Sequence, residues 1–188
     1  MKTEVAVFGG GCFWCTEAIF SMLNGVISVK PGYAGGEGLD HDYESVSSGE
    51  TGHAEVIRIE FDPSVIPYRD LLDVFFHTHN PTTMNQQGAD IGTQYRSVIL
   101  YTSEEQKEAA EKIISDLENS GEFKDFIVTE IKPLHEFYEA EDYHQNYFAK
   151  NIDAPYCQVV ISPKLTKLRE KYKVKLKGLL FQLQIMFC

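Results

Sequence analysis

The chain has 188 residues, 43% of them hydrophobic and 24% charged, and a formal net charge of −11. This is an ordinary globular composition with enough length for a real core. The acidity excludes general nucleic-acid binding, which needs a basic surface, and no run reaches the roughly 20 apolar residues of a membrane span.

The first predicted element is a short strand, Val5-Ala6-Val7-Phe8, which runs into Gly9-Gly10-Gly11. A helix is expected over 12–23, with Cys15, Ala18, Ile19, Met22 and Leu23 on one apolar stripe. Cys12 then falls in the first turn, where backbone N–H groups lack intrahelical partners and the dipole favours a thiolate. The glycines let a substrate approach the backbone closely, and Phe13 and Trp14 put two large rings beside the sulfur. A strand is expected near 26–29, followed by a loop over 31–36. Val56, Ile57, Arg58, Ile59, Glu60 and Phe61 alternate as a strand that ends at Asp62-Pro63-Ser64. A helix is expected over 67–77 and a strand over 95–101. Ser103-Glu104-Glu105-Gln106 has the form of a capping box and opens a helix with Ala110, Ile113, Ile114 and Leu117 on its inner face. Segments 127–131 and 158–161 read as strands. The pattern is α+β, a mixed sheet with helices packed on it. Residues 31–54, 79–94 and 133–156 are long loops rich in Tyr, Gly, His and Asn, and such loops in a compact domain are often functional. Residues 1–177 read as one domain and 178–188 as an apolar tail of unknown role, after a stretch with seven Lys and Arg against Glu170 alone from Lys164 onward.

Four cysteines stand at 12, 15, 157 and 188. The start, Met1-Lys2-Thr3-Glu4, lacks the form of a secretory leader, so a reducing, cytoplasmic setting is expected, in which Cys-x-x-Cys serves catalysis or metal binding. Cys12 and Cys15 are one turn apart, close enough to bridge, although Cys15 also suits a core position. A zinc site would need two further ligands, for which His77 and His79, His135 or His144 are the candidates. The glycine run matches no nucleotide fingerprint. Glu55 places a carboxylate at the mouth of an apolar strand, where burial would raise its pKa and suit it to general acid work. Tyr43, Asp90 and Tyr95 could turn hydroxyls and a carboxylate toward a polar ligand atom. A thiol hydrolase using Cys12 with His53, and a zinc-stabilised binding module, are the rival classes.

Together these segments resemble the type A peptide methionine sulfoxide reductases. The matching pieces are Gly11-Cys12-Phe13-Trp14, Gly32-Tyr33-Ala34-Gly35-Gly36, Tyr43 with Val46, Thr51-Gly52-His53-Ala54-Glu55, and Asp62-Pro63. His79-Asn80-Pro81, Gly92-Thr93-Gln94-Tyr95-Arg96-Ser97 and Ala140-Glu141-Asp142-Tyr143-His144-Gln145 come next in order. The resemblance implies a ferredoxin-like core and reduction of the S epimer of methionine sulfoxide, free or in oxidised proteins. It also implies a monomer with no bound cofactor or metal, regenerated by thioredoxin. The family's nucleophile falls on Cys12 and its acid on Glu55. Its two oxygen-binding tyrosines fall on Tyr43 and Tyr95, its pocket aspartate on Asp90, and its methyl slot on Phe13 and Trp14. Many members have glycine in place of Cys15 and recycle through cysteines in a Gly-rich tail. Cys157 matches the start of that tail, but Val159-Val160-Ile161-Ser162-Pro163 reads as structured. Cys15 is therefore the first choice for the recycling thiol and Cys157 the second.

Overall fold

The computed structural model describes residues 2–38 and 40–178. The tail beyond Gly178, with Cys188, lies outside the described residues. The chain forms β1 (Glu4–Gly10), α1 (Phe13–Ser21), β2 (Val26–Ala34), α2 (Tyr43–Ser47), β3 (Ala54–Phe61) and α3 (Tyr68–Thr78). After these come β4 (Gln86–Gln87), β5 (Asp90–Ile91), a 3₁₀ turn at Thr93–Tyr95, β6 (Ser97–Tyr101) and α4 (Glu104–Ser120). The last elements are β7 (Glu130–Pro133), β8 (Phe137–Glu139), α5 (Tyr147–Lys150), a π-helical turn at Cys157–Ile161 and α6 (Ser162–Lys171).

The main sheet has the order β7-β6-β1-β3-β2-β8. Its central four strands, with α1 after β1 and α3 after β3, make the βαββαβ arrangement of ferredoxin-like folds. β1 is the pivot: it pairs antiparallel with both β3 and β6, while β6 and β7 run parallel. Alternation along β1 sends Ala6 and Phe8 to the larger core, with α1, α3, α4 and α6, and Val7 to a smaller cluster with Ala34, Val56, Val98 and Leu100. Both faces are covered, which explains why the central strands are almost continuously apolar.

The stripe Cys15, Ala18, Ile19, Met22 and Leu23 is buried as expected, although α1 itself stops at Ser21 with Met22 as its C-cap. Three sequence expectations change. The segment 31–34 is strand: β2 continues through Pro31 because β3 pairs along one edge and β8 takes Gly32–Ala34 on the other. The strand expected at 127–131 begins only at Glu130, where pairing to Val98 starts. The segment 158–161 is helical; its β-branched run yields to tertiary packing, with Cys157 and Ile161, one turn apart, both fully buried, and Pro163 sits in the first turn of α6, where its missing N–H is harmless.

Two glycines decide how β1 delivers the next turn. Gly11 has φ +91°, a conformation that side chains rarely adopt, and a Cβ there would strike Gln87. A Cβ on Gly9 would lie 2.8 Å from Val98 Cγ1 and 2.9 Å from the Glu55 carbonyl oxygen. Gly9→Ala is therefore expected to cost about 1–3 kcal/mol by overpacking. It would appear as a lower urea midpoint with an unchanged slope, and a midpoint equal to wild type would show that β1 and β3 can part without cost.

Candidate active site

α1 opens at Cys12, which is the N-cap residue and makes no side-chain cap hydrogen bond. Its carbonyl accepts from Cys15 N at 3.1 Å and Thr16 N at 3.4 Å. The first free amide of the helix, Phe13 N, donates to Glu55 Oε2 at 2.9 Å. Glu55 is the second residue of β3, opposite Tyr33, and only 3% exposed. The neighbouring strand thus hands a carboxyl group to the same helix end that carries the thiol.

Burial pushes the Glu55 carboxyl up to about 8, with the Asp90 and Cys15 charges adding and the Phe13 amide opposing. At neutral pH Glu55 is a carboxylic acid. Cys12 and Cys15 share a hydrogen bond. That bond lowers the Cys15 thiol to about 7 and, followed by burial and the Glu55 carboxyl, pushes Cys12 well above the ordinary thiol value. Glu55 thus occupies the open helix end beside Cys12, and the two thiols titrate as one pair.

The aromatic wall is built by the next residues of α1. Phe13 is buried against Tyr33, ring centres 5.7 Å apart, and His144, at 4.9 Å. Trp14 is half-buried, stacks on Tyr147 at 3.6 Å with planes 6° apart, and donates its Nε1 proton to His144 Nδ1 at 2.9 Å. The Tyr43 ring lies 4.7 Å from His144. Burial raises the Tyr95 hydroxyl, and Glu55, Tyr43, Cys12 and Asp90 all lie within electrostatic range of it. Asp90 accepts a hydrogen bond from the Tyr156 hydroxyl at 3.0 Å.

The structure thus brings Cys12, Phe13, Trp14, Tyr43, Glu55, Asp90, Tyr95 and Cys15 together. Cys157 is fully buried in the turn beside them, close enough for the Cys15 charge to raise its thiol after burial has done so. Sequence reasoning missed the supports. Glu141 joins Tyr33 to Tyr43 by accepting from the Tyr33 hydroxyl and Tyr43 N, both at 2.9 Å. Glu17, pushed up to about 7 by burial, accepts from Asn146 N at 2.7 Å and Tyr147 N at 3.2 Å, so it sets the ring on which Trp14 stacks. A signal for Glu17 existed: it is a carboxylate inside an otherwise buried helix. Tyr156 offered none beyond standing next to Cys157.

The rival assignments lose their residues. His53 Nδ1 accepts from Gly36 N at 3.1 Å and Nε2 meets the Gly38 carbonyl at 2.9 Å, so it holds a loop and is not free to serve as a base. His79 bonds the Phe75 carbonyl and the Ser97 hydroxyl, and His77 meets Glu122. Among the described residues no three metal-ligating side chains converge, and no helix is long and apolar enough to cross a membrane.

Comparison with known proteins gives a consistent picture. The family model described as "Peptide methionine sulfoxide reductase" matches residues 4–176. A peptide methionine sulfoxide reductase MsrA from Sulfolobus acidocaldarius is 55% identical over 172 residues, covering 92% of this chain and 97% of the relative. One from Acinetobacter baumannii is 55% identical over 175 residues, 93% of this chain and 99% of its own. Among solved structures, reduced Mxr1 from Saccharomyces cerevisiae superposes with a TM-score of 0.76 at 36% identity, covering 83% of this chain and 90% of that one. Mxr1 in complex with Trx2 gives 0.55 at 28% identity, over 78% and 85%.

Proposed function

Because the chain belongs to the peptide methionine sulfoxide reductase family, we propose that Cys12 and Glu55 carry out its thiol-dependent reduction of methionine sulfoxide, with Cys15 as the recycling thiol and thioredoxin as reductant. The observation that carries the residue assignment is the Phe13 N–H bond to Glu55: it fixes a buried carboxylic acid at the amide directly after the nucleophile.

A sulfoxide has an electrophilic sulfur, a strongly polar oxygen and an apolar methyl group. Phe13 and Trp14 take the methyl. Tyr43 and Tyr95 bind the oxygen, and Asp90 supports them. Cys12 passes its proton to Cys15 and attacks the sulfur, while Glu55 protonates the oxygen. Methionine leaves, the oxygen stays on Cys12 as a sulfenic acid, and Glu55 is left as the carboxylate. Cys15 then condenses with Cys12, water departs, and an external dithiol reduces the disulfide by exchange. Cys15 is supported over Cys157 because it lies one turn along α1 from Cys12, its backbone amide bonding the Cys12 carbonyl at 3.1 Å, so bridging needs little movement of the chain. The solved complex of Mxr1 with Trx2 supports thioredoxin as the partner.

The fixed placement of methyl and oxygen selects the S epimer. Residues 1–177 act as one catalytic domain and as a monomer. A cytoplasmic setting suits three buried, unpaired thiols.

The test is thioredoxin-coupled consumption of NADPH with each epimer. The S epimer is expected to turn over and the R epimer to be a poor substrate; equal rates would refute the pocket. Cys15→Ser is expected to release about one methionine per enzyme and then stall with thioredoxin, whereas Cys157→Ser should continue. The reverse pattern would transfer the recycling role to Cys157.

A further inference from the structure

Resting on the reading of Cys15 as the recycling thiol, we propose that Tyr156 is a positioning residue for the disulfide-forming half of the cycle. Its hydroxyl, shared between Asp90 and Cys15, holds the Cys15 sulfur beside Cys12 and turns its single proton from carboxylate to sulfur when Cys15 must attack as a thiolate.

The geometry is that of a hinge between two acceptors. The Tyr156 oxygen lies 3.0 Å from Asp90 Oδ2 and 3.7 Å from Cys15 Sγ. A phenol has one proton and can also accept. While it donates to Asp90, it offers Cys15 a lone pair and fits the protonated thiol. Rotation about one C–O bond makes it a donor to the Cys15 thiolate, with no heavy atom displaced. The ring is braced for this: it meets Trp14 edge-on at 5.8 Å and 77°, and the π-helical turn directly after it packs on α1. Single π-turns recur at functional sites because the extra residue re-aims a side chain. Burial, with Cys12, Cys15 and Asp90 all facing the hydroxyl, keeps the phenol itself protonated, its ionisation pushed far above the usual range, so Tyr156 acts by directing its proton and does not give it up.

The chemistry explains why such a device is needed. After methionine leaves, Cys15 holds the proton it took from Cys12, and it must lose that proton before it can attack. Its ionisation is set by its neighbours: the Cys12 hydrogen bond, Lys164, Tyr156 and Asp90, with Glu55 and Cys157 also in electrostatic range. In the condensation the Cys15 sulfur–Cys12 sulfur bond forms and the Cys12 sulfur–oxygen bond breaks. Cys15 is oxidised and the sulfenic sulfur reduced to the disulfide level. The hydroxide leaves as water with the proton that Cys15 released.

The test is Tyr156→Phe in a single turnover, with methionine release, loss of free thiols and trapping of the sulfenic acid by a dimedone probe followed in the same sample. The expected result is one methionine per enzyme followed by disulfide closure slowed about tenfold or more, the scale of losing a hydrogen bond to a charged group. The probe should then capture the sulfenic acid, and the pH profile of closure should move to higher pH. Closure at the wild-type rate with the wild-type profile would overturn the proposal. So would loss of the methionine release, which would place Tyr156 in the sulfoxide step. Cys15→Ser separates the two readings. If it closes a disulfide as fast as wild type, the recycling assignment fails and the proposal falls with it. If it stalls while Tyr156→Phe runs normally, only the proposal falls.

Discussion

Cys12→Ser is expected to abolish sulfoxide reduction, with no methionine released even in a single turnover. A serine hydroxyl is a weak nucleophile unless a base activates it, and His53, the base a hydrolase would recruit, is tied to Gly36 and Gly38. Cys15 cannot substitute. Glu55 is fixed to the amide directly after Cys12, so a thiol one turn farther on has no acid aimed at the oxygen. Quenched-flow measurement of free methionine checks this, and a measurable burst would remove Cys12 from the nucleophile's role.

Glu55→Gln is expected to slow methionine release by roughly 10²–10⁴-fold, the usual contribution of a general acid, with substrate affinity retained because the amide preserves the shape. The pH dependence has a definite sign. Wild-type release should rise as the thiol pair ionises near 7 and fall as pH climbs through about 8, where Glu55 loses its proton. The descending limb should be missing in the variant. Stability tracks the same carboxyl. Its folded-state value lies above the unfolded one of about 4.3, so the bound proton favours the folded state most fully at low pH. That contribution fades as pH rises through about 8. Above that point Glu55→Gln should be more stable toward denaturant than wild type. An unchanged release rate would remove Glu55 from the acid's role, and a pH profile that keeps its falling limb would assign that limb to another group.

Much of this site was legible in the sequence because chemistry and local structure coincide there. A strand, three glycines and a helix stripe locate Cys12 without any long-range information, and burial of an alternating strand raises Glu55 as its position suggests. The interactions between distant segments were not legible. Nothing in the local pattern says that Glu17 caps a turn beginning at Asn146, that Glu141 joins β2 to α2, or that the Tyr156 hydroxyl lies between Asp90 and Cys15; each depends on how three long loops fold back on one sheet. The misread segments have the same origin. Pro31-Gly32 carries a turn signal, and only the partners on both edges keep it extended. Val159-Val160-Ile161 carries a β signal that burial of Cys157 and Ile161 overrides.

The contacts of Trp14 make this enzyme its own optical probe. It is the sole tryptophan of the chain. Its indole is stacked on Tyr147, bonded to His144 and touched edge-on by Tyr156, and it is flanked in sequence by Phe13 and Cys15. Tryptophan emission therefore originates beside the thiols and nowhere else. Thiol, sulfenic acid and disulfide quench an indole to different degrees, so a stopped-flow fluorescence trace on the unlabelled, unmodified protein would resolve the successive redox states in real time.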